Sequence, residues 1–285
     1  MGWGRRPQKT GKKMITLVGN VLNSNNKKVL DKMNKMDFEF IRREVVAQIR
    51  DGAEFIELNA VSLLHNELPF LRQAVRIIEG VGSKALVRSN SVNTLLEVIN
   101  FVKNEVVIGD IEFNKKKVDT ILEAARGKSV KIIASIKDPD NSSNGDMSPE
   151  KSLLIAQMFL DYLLDNGIER NNILLDPVVR PLEQHTENGK RFLNTLELFK
   201  LDFPQVKTIA NLSQLSEGLP MRWLISSNFV SLAIEKGLDY IILDVLEKSI
   251  IESIITTLMI IGKDKNMQTY LTFCRNTREL RRKGA

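Results

Sequence analysis

The sequence predicts an α/β fold, a single-domain (β/α)8 barrel. Three observations predict it. Short apolar, β-rich runs recur eight times along 285 residues. Each is followed by a segment with helical periodicity. The runs are continuously apolar and do not alternate, as expected of a parallel sheet covered on its outer face. A doubly wound sheet is the structural alternative, but no G-x-G-x-x-G follows the first run, so its dinucleotide-binding form lacks support.

The expected strands, in order, are ITLV (15–18), EFIEL (54–58), KALVR (84–88) and VVIG (106–109), then VKIIAS (130–135), NILL (172–175), KTIA (207–210) and YIIL (240–243). Three intervening helices are especially clear. FEFIRREVVAQIRDGA (38–53) puts Phe40, Ile41, Val45 and Ile49 on one face and closes on Gly52. SPEKSLLIAQMFLDYLLDNG (148–167) opens on a Ser cap with Pro at the first helical position and closes on Gly167. LISSNFVSLAIEKG (224–237) ends in the same way.

Composition narrows the function. Cys274 is the single cysteine, and His65 and His185 are the only histidines. A disulfide scaffold and a zinc site built on Cys pairs are excluded, and no metal site is expected. The net charge of +6 comes from the ends. Residues 1–13 and 275–283 carry five basic side chains each, against a single glutamate. The body between is near neutral, so nucleic acid is not an expected partner. Residues 1–13 lack the apolar run of a signal peptide, and the run Ile250 to Ile261 is too short for a membrane span. A cytoplasmic protein is expected, with a basic N-terminal tail (1–13), a barrel (14–273) and a basic C-terminal tail (274–285).

In such a barrel the chemistry sits on the loops past the C-terminal ends of the strands. The residues there are Asn20, Asn59, Ser89 with Asn90, Asp110, Lys137 with Asp138, Asp176, Asn211 and Asp244. Polar residues are ordinary in loops and caps. Eight loops converging on one mouth make the set more telling. It is rich in amides and carboxyls and poor in His, Lys and Arg, which suits a neutral, hydrogen-bonding heterocycle. No glycine-rich phosphate cradle is present. Asp176, in ILLDPVVRP, can accept two hydrogen bonds from an N–H and an adjacent amino group, and Pro177 stiffens its loop.

These segments resemble the pterin-binding (β/α)8 barrels, in particular the methyltetrahydrofolate:corrinoid methyltransferases. The resemblance runs from about Met14 to Phe273. It rests on ITLVGNVLN, on GAEFIELNA, on ILLDPVVRP, and on TIANLSQLSEGLPMRWLISSNFVSLAIEKGLDYIILD (208–244). It implies transfer of a methyl group from N5 of a methylated tetrahydropterin, such as methyltetrahydrofolate, to Co(I) of a corrinoid carried by a partner protein. It also implies a homodimer.

The resemblance carries pterin contacts to Asp176, Asn59, Ser89, Gly109, Asp110, Asn211, Glu217 and Arg222, and the contact to N5 to Gln214. Several of these depart from the family pattern. Ser89 stands for a strand-three Asp, Gly109 for a strand-four Asn with Asp110 beside it, Gln214 for an Asn, and Asn20 for a strand-one Glu. Glu57 replaces the Asp of the strand-two motif. Two alternatives stay open: a catalytically altered or inactive barrel that binds a corrinoid protein or a methyltransferase, and a dihydropteroate-synthase-like enzyme.

Overall fold

The computed structural model describes residues 15–138 and 147–283. The expected N-terminal tail, 1–13, lies outside the described residues. Eight parallel strands close into a barrel in sequence order, with β8 pairing back onto β1. They are β1 (Thr16–Gly19), β2 (Phe55–Asn59), β3 (Lys84–Arg88), β4 (Val106–Ile111), β5 (Val130–Ser135), β6 (Ile173–Asp176), β7 (Lys207–Asn211) and β8 (Tyr240–Leu243). Each expected apolar run contains its strand core.

The helices pack outside. They are α1 (Lys27–Asn34), α2 (Phe38–Arg50), α3 (Glu67–Gly80), α4 (Val92–Phe101), α5 (Lys115–Ala125), α6 (Pro149–Asp165), α7 (Asn188–Asp202), α8 (Arg222–Glu235), α9 (Lys248–Ile260) and α10 (Gln268–Lys283). Their starts follow from local chemistry. Asp37 accepts from the Phe40 N–H at 3.0 Å at the head of α2. Ser91 accepts from Thr94 N–H at 3.2 Å at the head of α4, and Ser148 from Lys151 N–H at 3.2 Å at the head of α6. Each bond satisfies a backbone donor that a helix start leaves without a partner. The expected barrel boundary at Phe273 falls inside α10, so residues 274–283 continue a helix.

Two cores result. The larger lies between strands and helices. The smaller fills the barrel with one side chain from each strand: Val18, Phe55, Leu86, Val107, Ile133, Leu174, Ile209 and Ile242. All are at most 4% exposed, so the interior is a packed plug and not a channel. This layer fixes which residues face inward. Side chains alternate along a strand, so the residue two positions on faces the mouth.

Candidate functional site

Two residues beyond the inner core stand Asn20, Glu57, Arg88, Gly109, Ser135, Asp176, Asn211 and Asp244, one per strand. Five of these were expected at the site: Asn20, Asp176, Asn211 and Asp244 as residues past the strands, and Gly109 as a pterin contact carried by the resemblance. Arg88 and Ser135 were not, and Glu57 entered only as a departure from the family motif. The expectation of a mouth poor in cations is corrected: Arg88 lies in it, 8% exposed. The signal was present in the sequence, because Arg88 has the same parity as Leu86. Ser89, one residue on, faces the loop, where its hydroxyl accepts from the Ser91 N–H at 3.1 Å.

Arg88 joins three strands. Its Nε donates to Glu57 Oε1 on β2 at 2.5 Å. Its Nη1 donates to Asp110 Oδ1 on β4. Burial works against the guanidinium charge, but the carboxylates of Asp110 and Glu57 outweigh it and hold the Arg88 pKa above its ordinary value. Glu57 has its pKa pushed up by burial, opposed by Arg88. Glu57 Oε2, Arg88 Nη2 and Ser135 Oγ are buried without a hydrogen-bond partner among the described residues.

Gly109 and Asp110 sit where the pairing of β4 with β5 shifts register, between Ile108 and Ile111. Such an irregularity turns the chain and re-aims a side chain. It brings Asp110 to Arg88. Gly109 faces inward over β5, and a Cβ there would lie 2.8 Å from Ile133 Cδ1, so a larger residue would have to displace the inner core.

Asp176 ends β6 and is 7% exposed. Its Oδ1 accepts from the Val178 N–H at 2.8 Å, a turn that fixes the carboxyl. Burial pushes its pKa up to about 7, with the Asp110 charge adding to the rise and Arg88, the Val178 N–H and Lys137 opposing it. The carboxyl therefore exchanges its proton near neutral pH. It suits an edge of N–H donors, with which it hydrogen-bonds in its ionised form.

The remaining expected residues frame the rim. Asn59 has its Oδ1 within 3.4 Å of the Val61 N–H, and its carbonyl accepts from the Ser24 N–H at 2.8 Å, tying the first two loops together. Asn211 Oδ1 accepts from the Ser213 N–H at 3.2 Å, and Asn20 Nδ2 donates to the Ser213 hydroxyl at 3.3 Å. Gln214 and Glu217 follow on the same loop and are exposed. Arg222 turns back onto that loop: its Nη2 donates to Ser213 O at 2.8 Å and its Nε to Ser216 Oγ at 3.3 Å. Gly218 is favoured by its backbone conformation. It has φ +78°, and a Cβ would fall 1.8 Å from Glu183 Oε2. The structure thus gathers Glu57, Arg88, Asp110 and Asp176 into one charged group, and puts Gln214, Glu217 and Arg222 on a loop at the rim.

The chain is thus a closed eight-stranded parallel barrel with a buried Asp at the C-terminal end of strand six. Solved structures agree on the fold. Dihydropteroate synthase of Anaplasma phagocytophilum with bound 6-hydroxymethylpterin-monophosphate matches with a TM-score of 0.61 and 18% identity, over 86% of this chain and 100% of that one. The Yersinia pestis enzyme with a pterine–sulfa conjugate matches with a TM-score of 0.64 and 14% identity, over 87% and 95%.

One relative is a methyltransferase. The chain is 24% identical over 259 residues to the methylcorrinoid:tetrahydrofolate methyltransferase of Eubacterium limosum, covering 90% of this chain and 94% of that protein. No family profile matches the chain. The resemblance to pterin-binding barrels, and among them to corrinoid methyltransferases, therefore stands over nearly the whole sequence.

Proposed function

We propose that this protein transfers a methyl group between N5 of a tetrahydropterin and the cobalt of a corrinoid carried by a partner protein. The observation that carries the reading is Asp176. It is buried at the C-terminal end of the barrel in a chain whose nearly full length is similar to a methyltransferase named for these two substrates. Asp176 would accept the N–H edge of the pterin. That would leave N5 toward the loop that bears Gln214, whose amide would hydrogen-bond it. Asn59, Asn211 and the other rim residues would bound the ring. The corrinoid supplies the cobalt that takes or gives the methyl.

The chemistry sets two demands on this site. In the direction away from the pterin, the N5–CH3 bond breaks, the bonding pair to carbon comes from the metal, and N5 keeps its own pair and takes a proton. A tertiary amine leaves poorly until it is protonated or strongly hydrogen-bonded. In the direction named for the Eubacterium limosum relative, the N5 lone pair attacks the methyl, the cobalt–carbon bond breaks with its pair left on the metal as Co(I), and N5 then sheds a proton. Both directions pass through one transition state, so the same residues serve both. Gln214 is suited to either, since its amide both donates and accepts.

The reading also proposes a cytoplasmic protein and a homodimer. No described helix is long and apolar enough to cross a membrane.

The paired charges of Glu57, Arg88 and Asp110 in the mouth support a second reading, a barrel that binds the corrinoid protein without turnover. One experiment separates the two. Cob(I)alamin is mixed with methyltetrahydrofolate and the protein under anaerobic conditions, and the Co(I) absorption is followed. Protein-dependent decay, and the reverse change from methylcobalamin with tetrahydrofolate, is the expected outcome. No change in either direction, with the corrinoid partner also supplied, would leave only the binding reading.

A further inference from the structure

The charge chain in the mouth is built unlike a stabilising ion pair. Glu57, Arg88 and Asp110 come from three adjacent strands, β2, β3 and β4. Glu57 Oε2 and Arg88 Nη2 are buried without partners among the described residues. Buried charges stabilise a fold only when their geometry is good and their remaining polar atoms are satisfied. Here neither inner member is fully satisfied, so stability alone does not account for the group.

The three side chains are graded in exposure. Glu57 is 1% exposed, Arg88 10% and Asp110 36%. The chain runs from the dry interior outward, and its outermost carboxylate faces the opening. Asp110 also lies in the irregular part of β4, where the strand ladder does not hold it in regular register. Its carboxylate needs another anchor, and Arg88 Nη1 is that anchor. Arg88 is in turn held from below by Glu57. The Asp110 charge is felt at Asp176, so the two carboxyls share one mouth.

We propose that Arg88, seated on Glu57, is a positioning residue that aims Asp110 into the mouth as a second acceptor for the N–H donors of the bound heterocycle. This rests on the pterin reading above. Asp176 takes one set of donors and Asp110 another, and Arg88 acts through Asp110 without touching the ligand. The ligand class is a ring with N–H donors at more than one edge, as reduced pterins have.

The test is a double-mutant cycle read by calorimetric titration with methyltetrahydrofolate. The variants are Arg88→Met, Asp110→Asn and the two combined, with thermal unfolding measured on each. Each single change is expected to weaken binding on the order of tenfold, the size of one charge-assisted hydrogen bond. The combined variant is expected to bind within about twofold of Asp110→Asn, because Arg88 has nothing left to aim.

A merely structural Arg88 would weaken binding equally with and without Asp110, and that result overturns the proposal. So does unchanged binding in Arg88→Met. If Arg88→Met does not fold, Arg88→Lys replaces it. That variant keeps the charge but not the two-sided donor, and it is held to the same criterion. Failure of the unaltered protein to bind methyltetrahydrofolate overturns the pterin reading, and this proposal with it. Binding by the unaltered protein without coupling between Arg88 and Asp110 overturns this proposal alone.

Discussion

Replacing Asp176 by Asn is expected to stabilise the fold at alkaline pH while removing ligand binding. The carboxyl has its pKa raised from 3.8 to about 7, first by burial and then by the Asp110 charge. At about 1.36 kcal/mol per pH unit, ionising it in the fold costs about 4 kcal/mol more than in the unfolded chain. The sign follows from proton counts. Between pH 4 and 7 the folded state binds more protons at this position than the unfolded state, so the Asp176 contribution to stability falls as pH rises. The cost is complete above about pH 7 and absent below about pH 4. Asn cannot ionise, and its Oδ1 can still accept from the Val178 N–H.

The assay is urea unfolding of both proteins at pH 8.5 and pH 5. Asp176→Asn is expected to be more stable by about 2–4 kcal/mol at pH 8.5, allowing for imperfect replacement of the carboxyl, and by about half of that or less at pH 5. Equal stability at pH 8.5, or a gain that does not change with pH, would refute the reasoning. A stabilising substitution that destroys binding is the mark of a group kept for function at a cost to the fold.

Other substitutions probe the frame. At the opposite end of the barrel, Asp239 pairs with Lys200 and with Lys207 at 2.6 Å, and accepts from the Thr208 N–H at 2.9 Å. Burial opposes the Asp239 charge, but the two lysines and the Thr208 N–H outweigh it and hold its pKa down. Burial also lowers the pKa of Lys200. The carboxylate governs the acid limb, because it is the group that titrates there. Asp239→Asn should cost about 1–3 kcal/mol at neutral pH, with the difference from the native protein vanishing as pH falls through the carboxylate range, and leave pterin affinity unchanged. Gly218→Ala forces a Cβ against Glu183 in a left-handed position and should cost more than about 1 kcal/mol and slow methyl transfer, measured by unfolding and by the cobalt assay. Phe159→Ala opens the outer core where Phe159 packs on Phe113 at 5.2 Å, and should cost about 3–5 kcal/mol in urea unfolding.

The barrel was legible because a sheet buried on both faces must use continuous apolar strands, and because Ser148, Pro149 and Gly167 mark a helix chemically. The helix α1 was not foreseen. Its stretch, KKVLDKMN, is only eight residues long, with Val29 and Met33 buried. The mouth was half legible. Asp176 and Asn211 were found because loop position and inward parity coincide there. Arg88 was missed because the residue after the strand was read in place of its last inward one. Asp110 was expected from its place after the fourth apolar run, but its pairing with Arg88 comes through a shift of register, which alternation cannot foresee. Arg222 shows a further limit: its motif is present, but whether the guanidinium faces the mouth or its own loop depends on Ser213 and Ser216.

The most direct test of the account is calorimetric titration with methyltetrahydrofolate of the native protein beside Asp176→Ala. Micromolar binding by the native protein and its loss in the variant are expected. No binding by the native protein, or equal binding by both, would contradict it.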